Sequence, residues 1–155
     1  MVEIEKKKKF GGYLLQESKS SEGFDIIAIE TSNGKSPFYE FFTQLTEFIG
    51  EELGKNNKNK RNDRVINYTH LSQYMDRLAS SGIWNNPSQI KKLEGILFEL
   101  KVKATGLRVL FSYDSVNRRV ILITHSFIKK TQKTPKEEIE RANHLLRDFY
   151  KKRQG

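Results

Sequence analysis

The spacing of apolar and polar residues predicts three neighbouring strands in the second half of the chain. Residues 98–103 and residues 107–113 each alternate between two sets of side chains, as strands with two different faces do. Residues 120–123 are continuously apolar, which is typical of a central strand. The links between these runs are short, so the pattern favours an antiparallel meander.

The first half of the chain predicts a strand followed by a helix. Residues 24–29 form a β-branched run that suits a buried strand. Ser36 and Pro37 together resemble a helix start, and apolar residues then recur at three- and four-residue steps until Gly54 ends the helix. Residues 55–62 are polar and rich in Asn and Lys, which indicates a loop.

Two more helices complete the predicted fold. The second starts with Asp63 as its N-cap and ends before Gly82, and the last starts with Thr134 as its N-cap and Pro135 at the first helical position. The resulting order, β-α-α-β-β-β-α, describes an α+β fold. In it a helical hairpin and a C-terminal helix lie on a small, mostly antiparallel sheet. We expect a single domain over residues 23–152.

Composition excludes several kinds of protein. The chain has no Cys, which excludes a disulfide framework, a zinc finger and a Cys nucleophile, and agrees with a cytoplasmic location. No apolar run approaches the roughly 18 residues of a membrane span. Residues 1–22 carry a Lys run without an apolar segment behind it, so we expect no secretory signal. We expect an extension there that is flexible or adds one short strand.

The positive charge is concentrated in one part of the chain. The net charge is +9, and residues 96–133 hold eight Lys and Arg against two Asp and Glu, which is a net +6. Local basicity of this kind is expected of a protein that binds a polyanion. The alternative interpretation is the solvated surface of a basic protein.

The alternating pattern places several of these cations together. Lys101 and Lys103 point to one face of their strand, and the short link that follows brings Arg108 alongside them. Lys129 and Lys130 leave the end of the third strand. Such a face suits a phosphate backbone, because Arg chelates phosphate oxygens and Lys acts as a point charge.

Several segments carry the pattern of a known family. They are Leu93-Glu-Gly-Ile-Leu-Phe-Glu-Leu-Lys, Leu107-Arg-Val-Leu-Phe, Ile123-Thr-His-Ser-Phe-Ile-Lys-Lys-Thr-Gln-Lys-Thr-Pro and Glu137-Glu-Ile-Glu-Arg-Ala, with Ser36-Pro-Phe-Tyr-Glu-Phe-Phe earlier in the chain. The most specific is Phe-x-Lys-Lys-Thr-x-x-Thr-Pro-x-x-Glu-Ile at residues 127–139. Over residues 23–150 the chain resembles the HigB-like, phage-derived branch of the RelE/ParE type II toxin superfamily.

The resemblance implies a RelE-like fold and a toxin of a toxin–antitoxin pair. Such a toxin is an endoribonuclease that needs no metal or other cofactor. It usually cleaves mRNA on the ribosome and is silenced by a helix-turn-helix antitoxin. Toxin–antitoxin heterotetramers are common among such proteins, and the sequence leaves the oligomeric state open. Arg108 falls where the superfamily carries a sheet arginine, and Lys129 and Lys130 fall in its basic segment.

The implied cleavage limits which residues are needed. A ribose 2′-OH attacks the adjacent phosphate, which requires in-line placement, charge stabilisation and proton transfer. His125 is a candidate for proton transfer because an imidazole titrates near neutral pH, but it also suits a structural role at a strand end. A Lys whose pKa is lowered by neighbouring cations is the alternative base. The predicted catalytic residues are Arg108, His125, Lys129 and Lys130, and the predicted RNA-binding residues are Lys101, Lys103, Arg119, Gln132 and Lys133.

Two other functions fit the same sequence. One is a catalytically degenerate module that binds RNA or an antitoxin without cutting. The other is a ParE-like inhibitor of DNA gyrase, which shares the fold but usually lacks this basic face.

Overall fold

The structure is a computed structural model that describes residues 7–52, 62–131 and 133–154. Gln132, Gly54 and residues 55–61 of the predicted loop lie outside the described residues. The described residues form the following elements: β1 (Lys8–Lys9), β2 (Gly12–Gln16), β3 (Asp25–Ile29), α1 (Pro37–Glu52), α2 (Asp63–Ser81), β4 (Ile90–Lys92), β5 (Phe98–Val102), β6 (Leu107–Tyr113), β7 (Val120–Ile128) and α3 (Lys136–Gln154).

These strands form one sheet in the order β1-β2-β3-β7-β6-β5-β4. Neighbouring strands are antiparallel except β3 and β7, which run parallel. The strands β5, β6 and β7 are the predicted meander, and β7 lies in the middle of the sheet, as its continuously apolar sequence indicates. The predicted α+β class and the β-α-α-β-β-β-α order are confirmed, with β1, β2 and β4 as additions.

The two faces of the sheet pack against different helices. The helices α1 and α2 cover one face, where Phe38, Leu78 and Phe111 are fully buried. The helix α3 covers the other face, where Leu110 and Phe149 are buried. Adjacent residues of β6 therefore enter different cores, as the alternation of a strand requires. Each fully buried Leu or Phe contributes about 1.5–3 kcal/mol.

The helix starts differ slightly from the predicted ones. The helix α1 begins at Pro37, as predicted. The N-cap of α2 is Asn62 and not Asp63, because the Asn62 side chain accepts a hydrogen bond from a backbone N–H of the first turn. The helix α3 begins at Lys136, one residue later than predicted, and the Thr134 hydroxyl donates to a carboxylate of the sheet.

The N-terminal strands β1 and β2 are held on the sheet by the close packing of Gly12 against β3 and by the buried carboxylate of Glu30. Gly12 lies so near β3 that a Cβ there would come within 2.5 Å of the Ala28 carbonyl oxygen. Glu30, at the end of β3, is 4% exposed and pairs with Lys8 of β1 and Lys152 of α3. Burial alone would raise the pKa of Glu30, but these partners and a tyrosine hydroxyl lower it to about 2.

Across the part of the chain that the structure describes, no helix has the length and apolar character to cross a membrane.

Candidate functional site: a recessed cationic cluster

Three strands place charged side chains on the sheet face that lies towards α3. Lys91 of β4 is opposite Glu99 of β5, and Lys101 of β5 is opposite Arg108 of β6. Side chains in such positions have Cβ atoms roughly 4.5–5.5 Å apart. Lys129 follows β7, and its backbone N–H donates to the link between β5 and β6 at 2.7 Å. We call Lys91, Lys101, Arg108 and Lys129 the cationic cluster, of which Arg108 and Lys129 are recessed, Lys101 is half-buried and Lys91 is exposed.

Glu99 lies among these cations and is completely buried. Its side chain is 0% exposed. One carboxylate oxygen, Oε2, accepts a hydrogen bond from the Thr134 hydroxyl at 2.6 Å. The other, Oε1, has no hydrogen-bond partner among the described residues. A buried carboxylate that is half unpartnered is costly, so its position calls for a physical explanation.

Arg108 is 9% exposed, and its guanidinium makes one hydrogen bond within the described residues. Its Nη1 donates to the Leu107 carbonyl at 2.9 Å, whereas its Nε has no partner within the described residues. A guanidinium has five N–H donors in a rigid fork and stays charged. Arg108 therefore keeps donors for an anionic ligand.

Lys129 is 8% exposed, although the sequence pattern gives no sign of this burial. Its Nζ donates to the Thr134 hydroxyl at the long distance of 3.5 Å. Burial lowers the pKa of Lys129, the cations Arg108 and Lys91 lower it further, and Glu99 opposes them. A lowered pKa increases the fraction of this lysine that is neutral near pH 7, and only the neutral amine can act as a base.

Lys101 is only half-buried and has a similar environment. Its Nζ donates to the Pro87 carbonyl at 3.1 Å. Burial lowers its pKa, the nearby ammonium group of Lys91 adds to the effect, and Glu99 opposes it. The pKa values of Lys101 and Lys129 thus respond to the same buried carboxylate.

The remaining predicted cations surround this cluster at the surface. Lys103, Lys130 and Lys133 are exposed. A cavity of about 390 Å³ lies beside Thr134 and is lined by Glu94, Thr131, Lys133, Thr134, Pro135, Lys136 and Ile139. The recessed charges and the exposed charges thus meet at the segment before α3.

His125 lies apart from the exposed cations, beneath α3. It is 1% exposed, and its Nε2 contacts Glu138 Oε1 of α3 at 3.0 Å. Its Nδ1 lies 3.1 Å from the Thr124 hydroxyl. Burial lowers the pKa of His125, Arg141 lowers it too, and Glu138 opposes them. Because both ring nitrogens have protein partners and the ring is covered, this geometry favours the structural alternative for His125 over proton transfer.

Arg119 lies at the opposite end of β7 from Lys129. It precedes the first residue of β7, has a positive φ of 63°, and donates to the Gly23 carbonyl at 3.1 Å. A strand of nine residues separates the two ends by roughly 30 Å. The structure therefore does not bring Arg119 together with the other predicted RNA-binding residues.

Sequence reasoning missed three residues of this site: Glu99, Lys91 and the hydroxyl of Thr134. The alternation of β5 already places Glu99 on the face of Lys101, so its position was detectable. Its burial was not, because it depends on the segment before α3. The strand that carries Lys91 is three residues long and has no pattern of its own.

Within residues 7–52, 62–131 and 133–154, no three His, Cys, Asp or Glu side chains are grouped as a metal ion would require.

The part of the chain that builds this cluster matches a known family. The model of the family described as phage-derived protein Gp49-like (DUF891) matches residues 62–147, which is more than half of the chain. The chain belongs to the phage-derived Gp49-like family. This family is RelE/HigB-like and toxin-like, so the resemblance is confirmed at that level. A comparison with curated proteins gave no match.

The Gp49-like region contains the whole cationic cluster together with Glu99 and Thr134. It can provide a guanidinium with free donors, a recessed lysine with a lowered pKa, and exposed lysines around them. These are the groups needed to bind a phosphodiester and to stabilise added negative charge on it.

Proposed function

We propose that this Gp49-like protein is the HigB-like toxin of a type II toxin–antitoxin pair and cleaves mRNA in the cytoplasm. The cleavage takes place on the ribosome and does not require a metal ion. The observation that carries this proposal is the buried guanidinium of Arg108, which makes one hydrogen bond within the described residues and lies near Lys101 and Lys129.

Each cation has a role in this proposal. Arg108 binds the scissile phosphate and stabilises the charge that develops on it. Lys129 accepts the proton of the 2′-OH, since its pKa is lowered. Lys130 supports the phosphate from the rim. The half-buried Lys101 and the exposed Lys103 and Lys133 hold the flanking backbone. We do not assign proton transfer to the covered His125.

The proposed partners follow from the family. A helix-turn-helix antitoxin silences the toxin, and the two proteins form a complex such as a heterotetramer. The RNA substrate reaches the cluster while it is bound to the ribosome.

Growth arrest tests this proposal in cells. We expect expression of the wild-type chain without an antitoxin to arrest growth, and Arg108→Ala to relieve the arrest. Arg147→Ala on the exposed face of α3 is the matched control and should remain toxic. Undiminished toxicity of Arg108→Ala at equal protein levels would contradict the role of Arg108.

A second function is favoured by one observation. The covered position of His125 leaves the described cations without an imidazole at the surface beside them, which suits an RNA-binding protein that does not cut. Such a protein would bind RNA in a salt-sensitive manner and leave it intact. Inhibition of gyrase without RNA binding would instead indicate the ParE-like function, against which the basic segment at Lys129 and Lys130 argues.

A further inference from the structure

The hydrogen bonds around Thr134 have a fixed direction. A hydroxyl has one proton to donate and two lone pairs to accept with. The carboxylate of Glu99 can only accept, so Thr134 uses its proton on Glu99 Oε2 at 2.6 Å. Its lone pairs are left for the Lys129 ammonium, whose Nζ lies 3.5 Å away. Lys129 therefore donates to Thr134, which in turn donates to Glu99.

The members of this chain are buried to different degrees. Glu99 is 0% exposed and Thr134 is 7% exposed, so neither presents a large surface to a ligand. Lys129 is 8% exposed and leads into the exposed Lys130. If one member of this chain contacts RNA, it is Lys129, so Glu99 acts on RNA indirectly.

The charge of Glu99 is not used in a close ion pair. No Lys, Arg or His nitrogen of the described residues is recorded within 4.0 Å of its carboxylate. Its negative charge nevertheless acts on Lys129 and Lys101, against the repulsion from Lys91. A buried carboxylate without a close ion-pair partner costs stability, so the structure favours a role in controlling the neighbouring cations.

We propose that Glu99, acting through the Thr134 hydroxyl, is a positioning residue that orients the Lys129 side chain and balances its charge while it is protonated. Loss of that proton to solvent leaves the oriented neutral amine, which is the form that accepts the proton of the 2′-OH. This inference rests on the proposed function, in which Lys129 acts on the RNA. It adds two residues to that function, and neither of them touches the substrate.

A titration of Lys129 tests the inference without any RNA. The side-chain Cε signal of Lys129, assigned with Lys129→Arg, is followed by NMR against pH in full-length protein. Glu99→Gln keeps the shape of the side chain and removes its charge, so the pKa of Lys129 should fall further below its wild-type value. Groups of the described residues that act on the Lys129 charge are Glu99 and Lys101 from β5, Arg108 from β6 and Lys91 from β4.

Thr134→Val tests the role of the hydroxyl in this titration, and two further variants serve as controls. Thr134→Val removes the bridging hydroxyl without a change of charge and should shift the titration of Lys129. Thr134→Ser keeps the hydroxyl and should restore the wild-type curve. Glu47→Gln, on the exposed face of α1, makes the same change in net charge and should have no effect. A Lys129 titration that is the same in wild type, Glu99→Gln and Thr134→Val overturns the inference.

A double-mutant cycle tests whether the effect reaches RNA. Affinity is measured by anisotropy with a 2′-O-methyl RNA, which cannot be cleaved because it has no free 2′-OH. Glu99→Gln should weaken binding by about 3- to 10-fold in the wild-type background, and by less than about 2-fold when Lys129 is already Met. Equal losses in both backgrounds would indicate a merely structural role and overturn the inference.

The two proposals fail in different ways. If the Lys129 titration and the cycle behave as expected but natural RNA stays intact, the positioning role stands and the proposed cleavage falls. If RNA is cleaved but Glu99→Gln changes neither the titration nor the cycle, the cleavage stands and the positioning role falls. If no RNA binds, the titration alone decides the inference.

Discussion

At the scale of single residues, Arg108 combines a permanent charge with 9% exposure and unused donors. In bulk water the high dielectric constant weakens the attraction between a guanidinium and a phosphate, whereas in a recessed site the same attraction is stronger. A preorganised donor of this kind typically contributes about 10²–10³-fold to a rate. This is why Arg108, rather than an exposed lysine, is expected to be the most sensitive position of the site.

His125 predicts how stability depends on pH. Its pKa in the folded protein is lowered from 6.5, first by burial. The stability associated with its neutral form is therefore complete above about pH 6.5 and is lost as the pH falls below that value. We expect the free energy of unfolding of the wild type to decrease more between pH 7 and pH 5 than that of His125→Gln.

Urea unfolding at the two pH values measures this difference. The exposed His144→Gln on α3, the helix that covers His125, is the control and should follow the wild type. The prediction fails if His125→Gln and the wild type lose the same amount of stability on acidification. Cleavage by His125→Gln should also stay within about threefold of the wild type, since we assign this ring no proton transfer.

The sequence predicts the face of the strand on which a site residue lies, because that follows from alternation. It does not predict the burial of the residue, because burial depends on tertiary contacts. The two-residue period places Lys101 and Lys103 on one face, and the short link brings Arg108 beside them. The burial of Glu99 and Lys129 arises because the segment around Thr134 covers them, and that segment is distant in sequence from β5. The same holds for His125, which α3 covers through Glu138.

At the scale of elements, the β1–β2 hairpin, β3 and α3 are joined by the buried Glu30. Lys8 approaches its carboxylate from β1, and Lys152 approaches it from α3. The additional strands were hard to predict, because β1 has two residues and β2 begins at a glycine. Their position is determined by pairing with β3, which local sequence does not show.

Glu30→Gln tests this connection. The pKa of Glu30 is lowered from 4.5 to about 2, so its contribution is present above about pH 4.5 and is lost as the pH falls towards 2. A shift of this size corresponds to about 3 kcal/mol at neutral pH, as an order of magnitude. We expect Glu30→Gln to lose stability of that order at pH 7.

The control for this variant lies in the same hairpin. Glu17→Gln removes the same charge from a side chain that is 61% exposed, and should change stability by less than about 0.5 kcal/mol. Chemical denaturation at pH 7 measures both variants. Equal effects of the two substitutions would show that Glu30 does not hold the hairpin to α3.

At the scale of the whole molecule, the charge count and the fold lead to the same surface. Six of the eight cations in residues 96–133 lie in the cationic cluster or at its rim, whereas Arg118 and Arg119 lie at the opposite end of β7. The fold was predictable because the helices and the meander are long and have a regular spacing of apolar residues. The recessed character of the cluster came only from how the elements pack.

The salt dependence of RNA binding tests this surface as a whole. Each phosphate neutralised on a single strand contributes about −0.7 to the slope of log affinity against log salt. Lys103→Ala should therefore weaken binding and make the slope less steep by about 0.7. Lys19→Ala removes an exposed lysine that pairs with Asp76 outside this surface, and should leave the slope unchanged.

Purified protein with ribosomes and an end-labelled mRNA tests whether the cluster around Arg108 cuts RNA. We expect the wild type to yield fragments that end in a 2′,3′-cyclic phosphate, because the 2′-OH is the nucleophile. Arg108→Ala should cut about 10²–10³-fold more slowly, and Arg147→Ala at the wild-type rate. An mRNA that the wild type binds but leaves intact, or that Arg108→Ala cuts as fast as the wild type, would contradict the account.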